Sequence, residues 1–357
     1  MTSLIFGYGV TGQSFDRYLT KNGIKFDIYD VKYIDHPNAF SKLPSKEKLQ
    51  SYEMVYMSPG INILEHYPNK EFEAVNFKTD VDIFFEEDTS IKIGITGTNG
   101  KSTCCMHLSQ LLDNAEILGN FGRPLLDSIN SNKKYSIIEL SSFQLEKMKD
   151  NLLDFGILLN ISPDHIDHHG SFNNYLNAKN RILEANKSIT ENSPFEIFKI
   201  ITGNNYQGSI QLQDLINLPH RLEKIIINNR AVIINDSKST NMHSLDYAIK
   251  KANQHFNNDK YNLIICGNPA KEDFRTFNPD GPEHTFIFGL HANEINKCIN
   301  HSEKKLHKNL SDVLIEISNN KNQNILFSPG YPSGDDFKNF EERGEYFNKL
   351  VHEILLK

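Results

Sequence analysis

The sequence predicts an α/β fold in three consecutive domains built on mostly parallel sheets. Short apolar runs alternate with helix-period patterns almost throughout, as strand–helix–strand units do. Glycine-rich loops follow two of those runs and open helices, the place where parallel sheets hold phosphates. The chain has 357 residues, enough for two or three domains of roughly 100–150 residues each.

In chain order, strands are expected at 4–6, 26–29 and 54–57, each ending in a polar or glycine-rich turn. A second set is 91–95, 136–140 and 155–159, and a third is 262–266, 285–288 and 325–327. Met242, Leu245, Ile249, Ala252 and Phe256 predict an amphipathic helix. Leu306, Leu310, Val313, Leu314 and Ile317 step at helical spacing and predict another that begins near 306. Residues 224–235 predict a hairpin turning at Asn228-Asn229, two residues tolerant of positive φ. The acidic stretch 86–90 and the polar stretch 201–218 mark the joints. The expected domains are therefore 1–88, 89–218 and 219–357.

Composition excludes several classes. No apolar run approaches the roughly 18 residues of a membrane span. The first residues lack the basic region of a signal peptide. Net charge is −7 and no basic block occurs, which argues against a nucleic-acid binder. Cys104, Cys105, Cys266 and Cys298 form no C-x-x-C pair and are expected as reduced, mostly buried thiols. All of this predicts a cytoplasmic address.

Three segments carry chemistry. Gly7-Tyr8-Gly9-Val10-Thr11-Gly12 follows a strand and opens a helix, and Asp30 ends the next strand. This suits a nucleotide, NAD being one candidate and a plain tight turn the alternative. Gly94-Ile95-Thr96-Gly97-Thr98-Asn99-Gly100-Lys101-Ser102-Thr103 also follows a strand. Strict phosphate-loop spacing would put glycine where Ile95 stands. Yet Gly97 and Gly100 free the backbone to wrap a triphosphate, Lys101 supplies a cation, and Ser102 offers a hydroxyl to Mg²⁺. The third segment joins Glu139, at the end of a strand, to 160–170, which holds Asp164, His165, Asp167, His168 and His169. Zinc would want a second half with matching ligand spacing, which is absent. A carboxylate-rich Mg²⁺ site assisted by one histidine is expected instead, with the other histidines solvated.

These strings are specific in combination. Gly97 to Thr103, then Asp164-His165, then Ala178-Lys179-Asn180-Arg181-Ile182 resemble the Mur ligase family, ATP-dependent amide-bond formers of peptidoglycan synthesis related to folylpolyglutamate synthase. The strings 139–146 (ELSSFQLE), 218–223 (LPHRLE), 235–241 (NDSKSTN) and 337–344 (FKNFEERG) are similar to those of the branch that adds D-glutamate to UDP-N-acetylmuramoyl-L-alanine. They fall in the family's order and span almost the whole chain.

The resemblance implies a Rossmann-like N-terminal domain for the UDP moiety, a central P-loop ATPase domain with a parallel sheet, and a Rossmann-like C-terminal domain bringing the amino acid. The UDP substrate would meet Val10, Thr11, Asp30, Ser58, Gly60, Asn120, Ser141 and Gln144. ATP would meet Gly97, Thr98, Asn99, Gly100, Lys101, Ser102, Thr103, Asn205, Arg221 and Asp236. D-Glutamate would meet Lys238, Thr240, Ser333 and Phe340. Lys101, Glu139, His165 and Lys179 would be the catalytic set. Of two Mg²⁺ ions, Ser102 and Glu139 would hold one, and His165 and Lys179 the other. A lysine cation cannot ligate Mg²⁺, and the matching family lysine is carbamylated by CO₂. The implied reaction activates the UDP-substrate carboxylate as an acyl phosphate, which the D-glutamate amine attacks. The implied setting is the bacterial cytoplasm, with a monomer acting on small molecules and no nucleic-acid or membrane partner.

The chain departs from the family pattern in places. It is shorter than usual before His220, Gly208 replaces one asparagine near adenine, and 266–271 and 328–334 are altered. A folylpolyglutamate-type ligase would lack the N-terminal domain, and an oxidoreductase would leave the second loop without a use. A non-catalytic switch would not need Glu139, His165 and Lys179 together.

Overall fold

The computed structural model describes residues 2–62, 66–67, 75–227, 231–257, 259–269 and 276–356. The chain parts into two compact units, Met1–Ile216 and Asn217–Lys357.

The first unit holds two five-stranded sheets. β1 (Ser3–Phe6), β2 (Phe26–Tyr29), β3 (Ala39–Phe40), β4 (Val55–Met57) and β5 (Phe77–Lys78) form the first, in the order β3-β2-β1-β4-β5. All its pairings are parallel. Along β1, Leu4 and Phe6 join one core cluster and Ile5 the cluster on the opposite face. A strand covered on both faces reads as an unbroken apolar run, which is why 4–6 is legible. Helix α1 (Val10–Lys21) follows β1, and α2 (Lys46–Gln50) precedes β4. Helix α3 (Asp80–Glu87) starts on Thr79, whose side chain closes a reciprocal cap with Asp82.

The second sheet runs β10-β9-β6-β8-β7, again all parallel. Its strands are β6 (Ile91–Thr96), β7 (Ala115–Gly119), β8 (Tyr135–Glu139), β9 (Phe155–Leu158) and β10 (Lys187–Ile189). Its helices are α4 (Lys101–Leu111), α5 (Ser142–Lys147), α6 (Ile166–His169), α7 (Phe172–Asn180) and α8 (Pro194–Thr202). The edge strands β7 and β10 escape the sequence reading because half-covered strands lack a continuous apolar run. The two sheets are tied together. Arg17 on α1 forks onto both Asp127 carboxylate oxygens at 2.9 and 2.6 Å. Lys147 on α5 donates to the carbonyls of Pro59 and Ile61, just past β4.

The second unit holds a six-stranded sheet in the order β11-β12-β16-β13-β14-β15. Its strands are β11 (Glu223–Ile227), β12 (Ala231–Asn235), β13 (Asn262–Cys266), β14 (His284–Phe288), β15 (Lys304–His307) and β16 (Ile325–Gly330). Helices α9 (Met242–Phe256), α10 (Ala292–Cys298), α11 (Leu310–Ser318) and α12 (Phe340–Ile354) accompany it. The β11–β12 pair is antiparallel, from Glu223 opposite Asn235 to Ile227 opposite Ala231. The expected turn residues Asn228 and Asn229 lie outside the described residues, as does Lys271.

The helix expected from Leu306 is corrected. Leu306 lies in edge strand β15, paired with Ile287, and the helix begins at Leu310. Asn309 starts it by accepting the Asp312 N–H at 2.9 Å. A side-chain cap overrides an apolar spacing that runs on by chance. All four cysteines are free and buried. Among the described residues, no helix is long and apolar enough to cross a membrane.

Candidate active site

The phosphate-loop segment follows β6, the central strand of the second sheet. Gly100 caps α4 at φ 84°, a conformation that favours glycine. The loop is clamped to the segment after β9. Thr98 N–H donates to the Asn160 carbonyl at 2.9 Å, and Asn99 N–H to the Asn160 side chain at 3.0 Å. Thr98 Oγ1 accepts the Ser162 N–H at 2.9 Å and lies 2.8 Å from the Tyr175 hydroxyl. Lys101 Nζ is folded onto its own loop, donating to the Gly97 and Thr98 carbonyls at 2.9 and 3.0 Å.

Glu139 ends β8, whose register sets it opposite Ile95 of β6. It is 2% exposed. One carboxylate oxygen accepts from the Asn120 side chain at 2.8 Å, while the other is buried without a hydrogen-bond partner. An orphaned buried carboxylate oxygen is costly unless a cation meets it.

Lys179, on α7, is 2% exposed. Its amine donates to the Gly97 carbonyl at 2.9 Å and to Thr96 Oγ1 at 3.3 Å. Burial first, and then the charge of Lys101, lower its pKa to about 7; Asp164 and Glu139 pull the other way. A large part of this amine is therefore neutral at pH 7. His165 caps α6 at φ 51°, strained for a non-glycine residue. Although its side chain is half exposed, partial burial holds its pKa below the ordinary histidine value, against the pull of Asp164 and Asp167. Its imidazole is thus kept neutral, the form that ligates metals. Lys101 and Lys179 both donate to the Gly97 carbonyl, Glu139 pairs with Ile95 on the strand beside it, and His165 lies 3.8 Å from Asp164, so these groups gather at the C-terminal ends of the strands.

The fit to Mg²⁺ follows from these donors. The unpartnered Glu139 oxygen, one strand over from the loop that leads to Ser102 in the first turn of α4, suits a hard cation. The His165 side fits only if Lys179 bears an acidic group, because a bare amine or ammonium is no ligand for Mg²⁺.

At the first glycine loop, Gly9 caps α1 and Val10 is 71% exposed. Gly12 approaches so closely that a Cβ there would lie 2.1 Å from the Gly7 carbonyl oxygen. Asp30 accepts the Tyr8 N–H at 2.7 Å and the Lys32 N–H at 2.9 Å. Ser58 donates to the Gly7 carbonyl at 2.7 Å, and Gly60 is exposed. Ser141 and Gln144 form the reciprocal cap that starts α5, with bonds of 3.2 and 3.1 Å. The side chains of Asp30, Ser58, Ser141 and Gln144 are thus engaged by the chain itself.

Asn205 is exposed after α8. Gly208 lies where a Cβ would meet the Tyr206 ring hydroxyl at 2.2 Å.

In the second unit, candidate residues sit past β12 and β16, neighbouring parallel strands. Asp236 is buried, and its oxygens accept from Leu222 N–H and the Ser328 hydroxyl, both at 3.1 Å. Burial raises its pKa to about 7. Its carboxyl is committed to tying the loop before β11 to strand β16. Arg221 stands between His220 and Leu222, both at positive φ, 59° and 50°. Lys238 Nζ lies 4.2 Å over the Phe340 ring, bringing two expected D-glutamate residues together. Thr240 is half-buried on the same loop, and Ser333 is buried in the loop after β16. The Ser239 carbonyl accepts the Gly330 N–H at 3.0 Å, joining those loops.

Sequence reasoning passed over Asn160 and Tyr175, which hold the phosphate loop, and Lys147. Asn160 directly after a strand was the available signal; Tyr175 and Lys147 carried none. The expectation that the remaining histidines are solvated is overturned. The His169 side chain is fully buried against Ser142, and that of His168 is 15% exposed.

Comparison with known proteins is consistent end to end. The Mur ligase middle domain matches residues 95–268. A UDP-N-acetylmuramoylalanine–D-glutamate ligase of Buchnera aphidicola subsp. Acyrthosiphon pisum (strain Tuc7) is 30% identical, with 98% of each chain covered. One of the same name from Thermotoga petrophila is 27% identical over 96% of each. The Buchnera alignment runs to 441 positions, so it opens gaps in this 357-residue chain. Among solved structures, MurF ligase from Thermotoga maritima in complex with ADP has a TM-score of 0.59 at 12% identity, covering 99% of this chain and 94% of its own. UDP-N-acetylmuramate-alanine ligase MurC from the same organism scores 0.54 at 12% identity, covering 99% of each. These structures share the fold, and the end-to-end relative at 30% identity shows that this chain belongs to the Mur ligase family.

Proposed function

We propose that the chain is an ATP-dependent ligase that joins D-glutamate to UDP-N-acetylmuramoyl-L-alanine in peptidoglycan precursor synthesis. The observation that carries the chemistry is the gathering of Lys101, Glu139, His165 and Lys179 at the C-terminal ends of the strands of the second sheet, where Glu139 keeps a buried, unpartnered carboxylate oxygen. The choice of amino acid rests on the relatives named for D-glutamate and on Lys238, a cation suited to a side-chain carboxylate.

ATP with Mg²⁺ supplies the phosphoryl group that gives the substrate carboxylate a leaving group. Lys101 neutralises charge on that group as it transfers. Ser102 and Glu139 would hold one Mg²⁺, and His165 with Lys179, once carbamylated, would hold the second. The lowered Lys179 pKa supports this, since only a neutral amine combines with CO₂. Gly97, Thr98, Asn99, Gly100 and Thr103 line the triphosphate, with Arg221 for the γ-phosphate, Asp236 for the ribose and Asn205 for adenine. Val10, Thr11, Asp30, Ser58, Gly60, Asn120, Ser141 and Gln144 form or shape the UDP-substrate site. Lys238, Thr240, Ser333 and Phe340 hold D-glutamate. The domain roles follow residues 1–88, 89–218 and 219–357. The enzyme acts as a monomer in the cytoplasm.

Phosphate release from ATP tests the reading. It should require UDP-N-acetylmuramoyl-L-alanine and D-glutamate together. Equal turnover with L-glutamate, meso-diaminopimelate or L-lysine would refute the assignment of amino acid.

A further inference from the structure

Helix α5 turns one face toward α6. Ser142 and Glu146 are four residues apart and share that face. His168 and His169, the last residues of α6, both meet it. His168 Nε2 lies 3.3 Å from one Glu146 carboxylate oxygen, and His169 Nδ1 lies 3.6 Å from the other. His169 Nε2 is 3.0 Å from the Ser142 hydroxyl. The His169 side chain is fully buried, yet its Nδ1 has no hydrogen-bond partner. The three ligand atoms lie within 4.8 Å of one another.

We propose that Glu146, His168 and His169 form a binding site for a zinc-class divalent cation, which clamps α5 to α6. Two imidazoles and one carboxylate suit Zn²⁺, with a fourth position left for water. Mg²⁺ prefers oxygen ligands, so the site is chemically distinct from the one assigned to Glu139 and Ser102. Zn–N bonds of ~2.0–2.1 Å place tetrahedral donors ~3.3 Å apart, and Glu146 bridges the two imidazoles with one oxygen 3.3 Å from His168 and the other 3.6 Å from His169. Ser142 fixes the His169 ring from behind, as partners of metal-bound histidines do. Glu146 is 41% exposed and borders an open polar cleft with Asn174 and Glu184, which gives an ion access. The Arg181 guanidinium nearby is spent on the carbonyls of Leu145, Glu146 and Lys149 and leaves the carboxylate available.

The test is a Co²⁺ titration of the untagged full-length chain in saturating Mg²⁺, followed by the visible absorption of tetrahedral Co²⁺ and displacement by Zn²⁺. One ion per chain is expected. Glu146→Gln, at a half-exposed position, and His168→Gln should each weaken binding at least ~tenfold, and Ser142→Ala by about tenfold. Far-UV circular dichroism verifies folding of each variant. A weak octahedral spectrum would overturn the proposal. So would unchanged affinity in Glu146→Gln and His168→Gln. Loss of the signal in Glu139→Gln or His165→Ala alone would place the ion at the phosphate-loop edge and also overturn it.

Discussion

The two glycine loops of the first unit solve opposite problems. At the first, the polar side chains are consumed internally: Asp30 holds Tyr8 and Lys32, and Ser58 holds the Gly7 carbonyl. The loop is shaped before any ligand arrives, leaving its exposed helix start to meet one. At the second, charge is buried without full compensation. Glu139 keeps an orphaned oxygen, Lys179 is stripped of water, and His165 is strained. One loop stores geometry in satisfied hydrogen bonds, and the other stores electrostatic energy that a ligand can release.

Removing Lys101 probes the contrast most strongly. Lys101→Ala should lower turnover by about a thousandfold, the upper range for loss of one preorganised charge donor. Calorimetry should find UDP-substrate affinity unchanged. Equal losses in both would erase the division between the loops.

Next comes Lys179. Lys179→Ala should lower turnover by about a hundredfold and recover in part with acetate, which restores an oxygen anion near the metal. Rescue by ethylammonium in place of acetate would sink the carbamate. The parent enzyme at fixed dissolved CO₂ should gain activity as pH rises through about 7, where the amine loses its proton.

The same lysine has a stability consequence. Its folded pKa of about 7 lies below its ordinary value of 10.5, so the fold disfavours the proton. The cost is fully present below the folded pKa and fades as pH rises toward the unfolded one. In CO₂-free buffer, Lys179→Met should raise stability by up to about 4 kcal/mol near neutrality. Denaturant midpoints should show that gain shrinking as pH rises toward the ordinary lysine value. A pH-independent gain would mean that burial is not stressing this amine.

Lys147 spans the two sheets, and burial lowers its pKa to about 8. Lys147→Met forfeits its two carbonyl partners past β4, a loss of about 2 kcal/mol. We expect KM for the UDP substrate to rise roughly thirtyfold with kcat held. The smallest effect belongs to Asp30→Asn. The amide still accepts the Tyr8 N–H, so KM for the UDP substrate should rise only about fivefold, for ~1 kcal/mol of lost charge assistance. A collapse in kcat there would show that the first loop is not merely preformed.

Element by element, legibility followed burial. β1 and β13 are covered on both faces and read directly as apolar runs. β7, β10 and β15 lie at sheet edges, and Leu306 was drawn into a helix because an edge strand and an amphipathic helix share sparse apolar spacing. The Ser-x-x-Gln cap at Ser141 and Gln144 was present in the sequence as a pattern but was read only through resemblance.

By itself, the sequence determined the α/β class, the phosphate loop and the strings that mark the family, because these depend on residue type at fixed local spacing. The tertiary structure alone decided which groups lack partners. Strand register set Glu139 beside the phosphate loop, and packing drove Lys179 and His169 out of water. It also turned Glu146 of one helix toward the histidines of another. Burial and pairing are sums over neighbours distant in the chain, and no local spacing contains them.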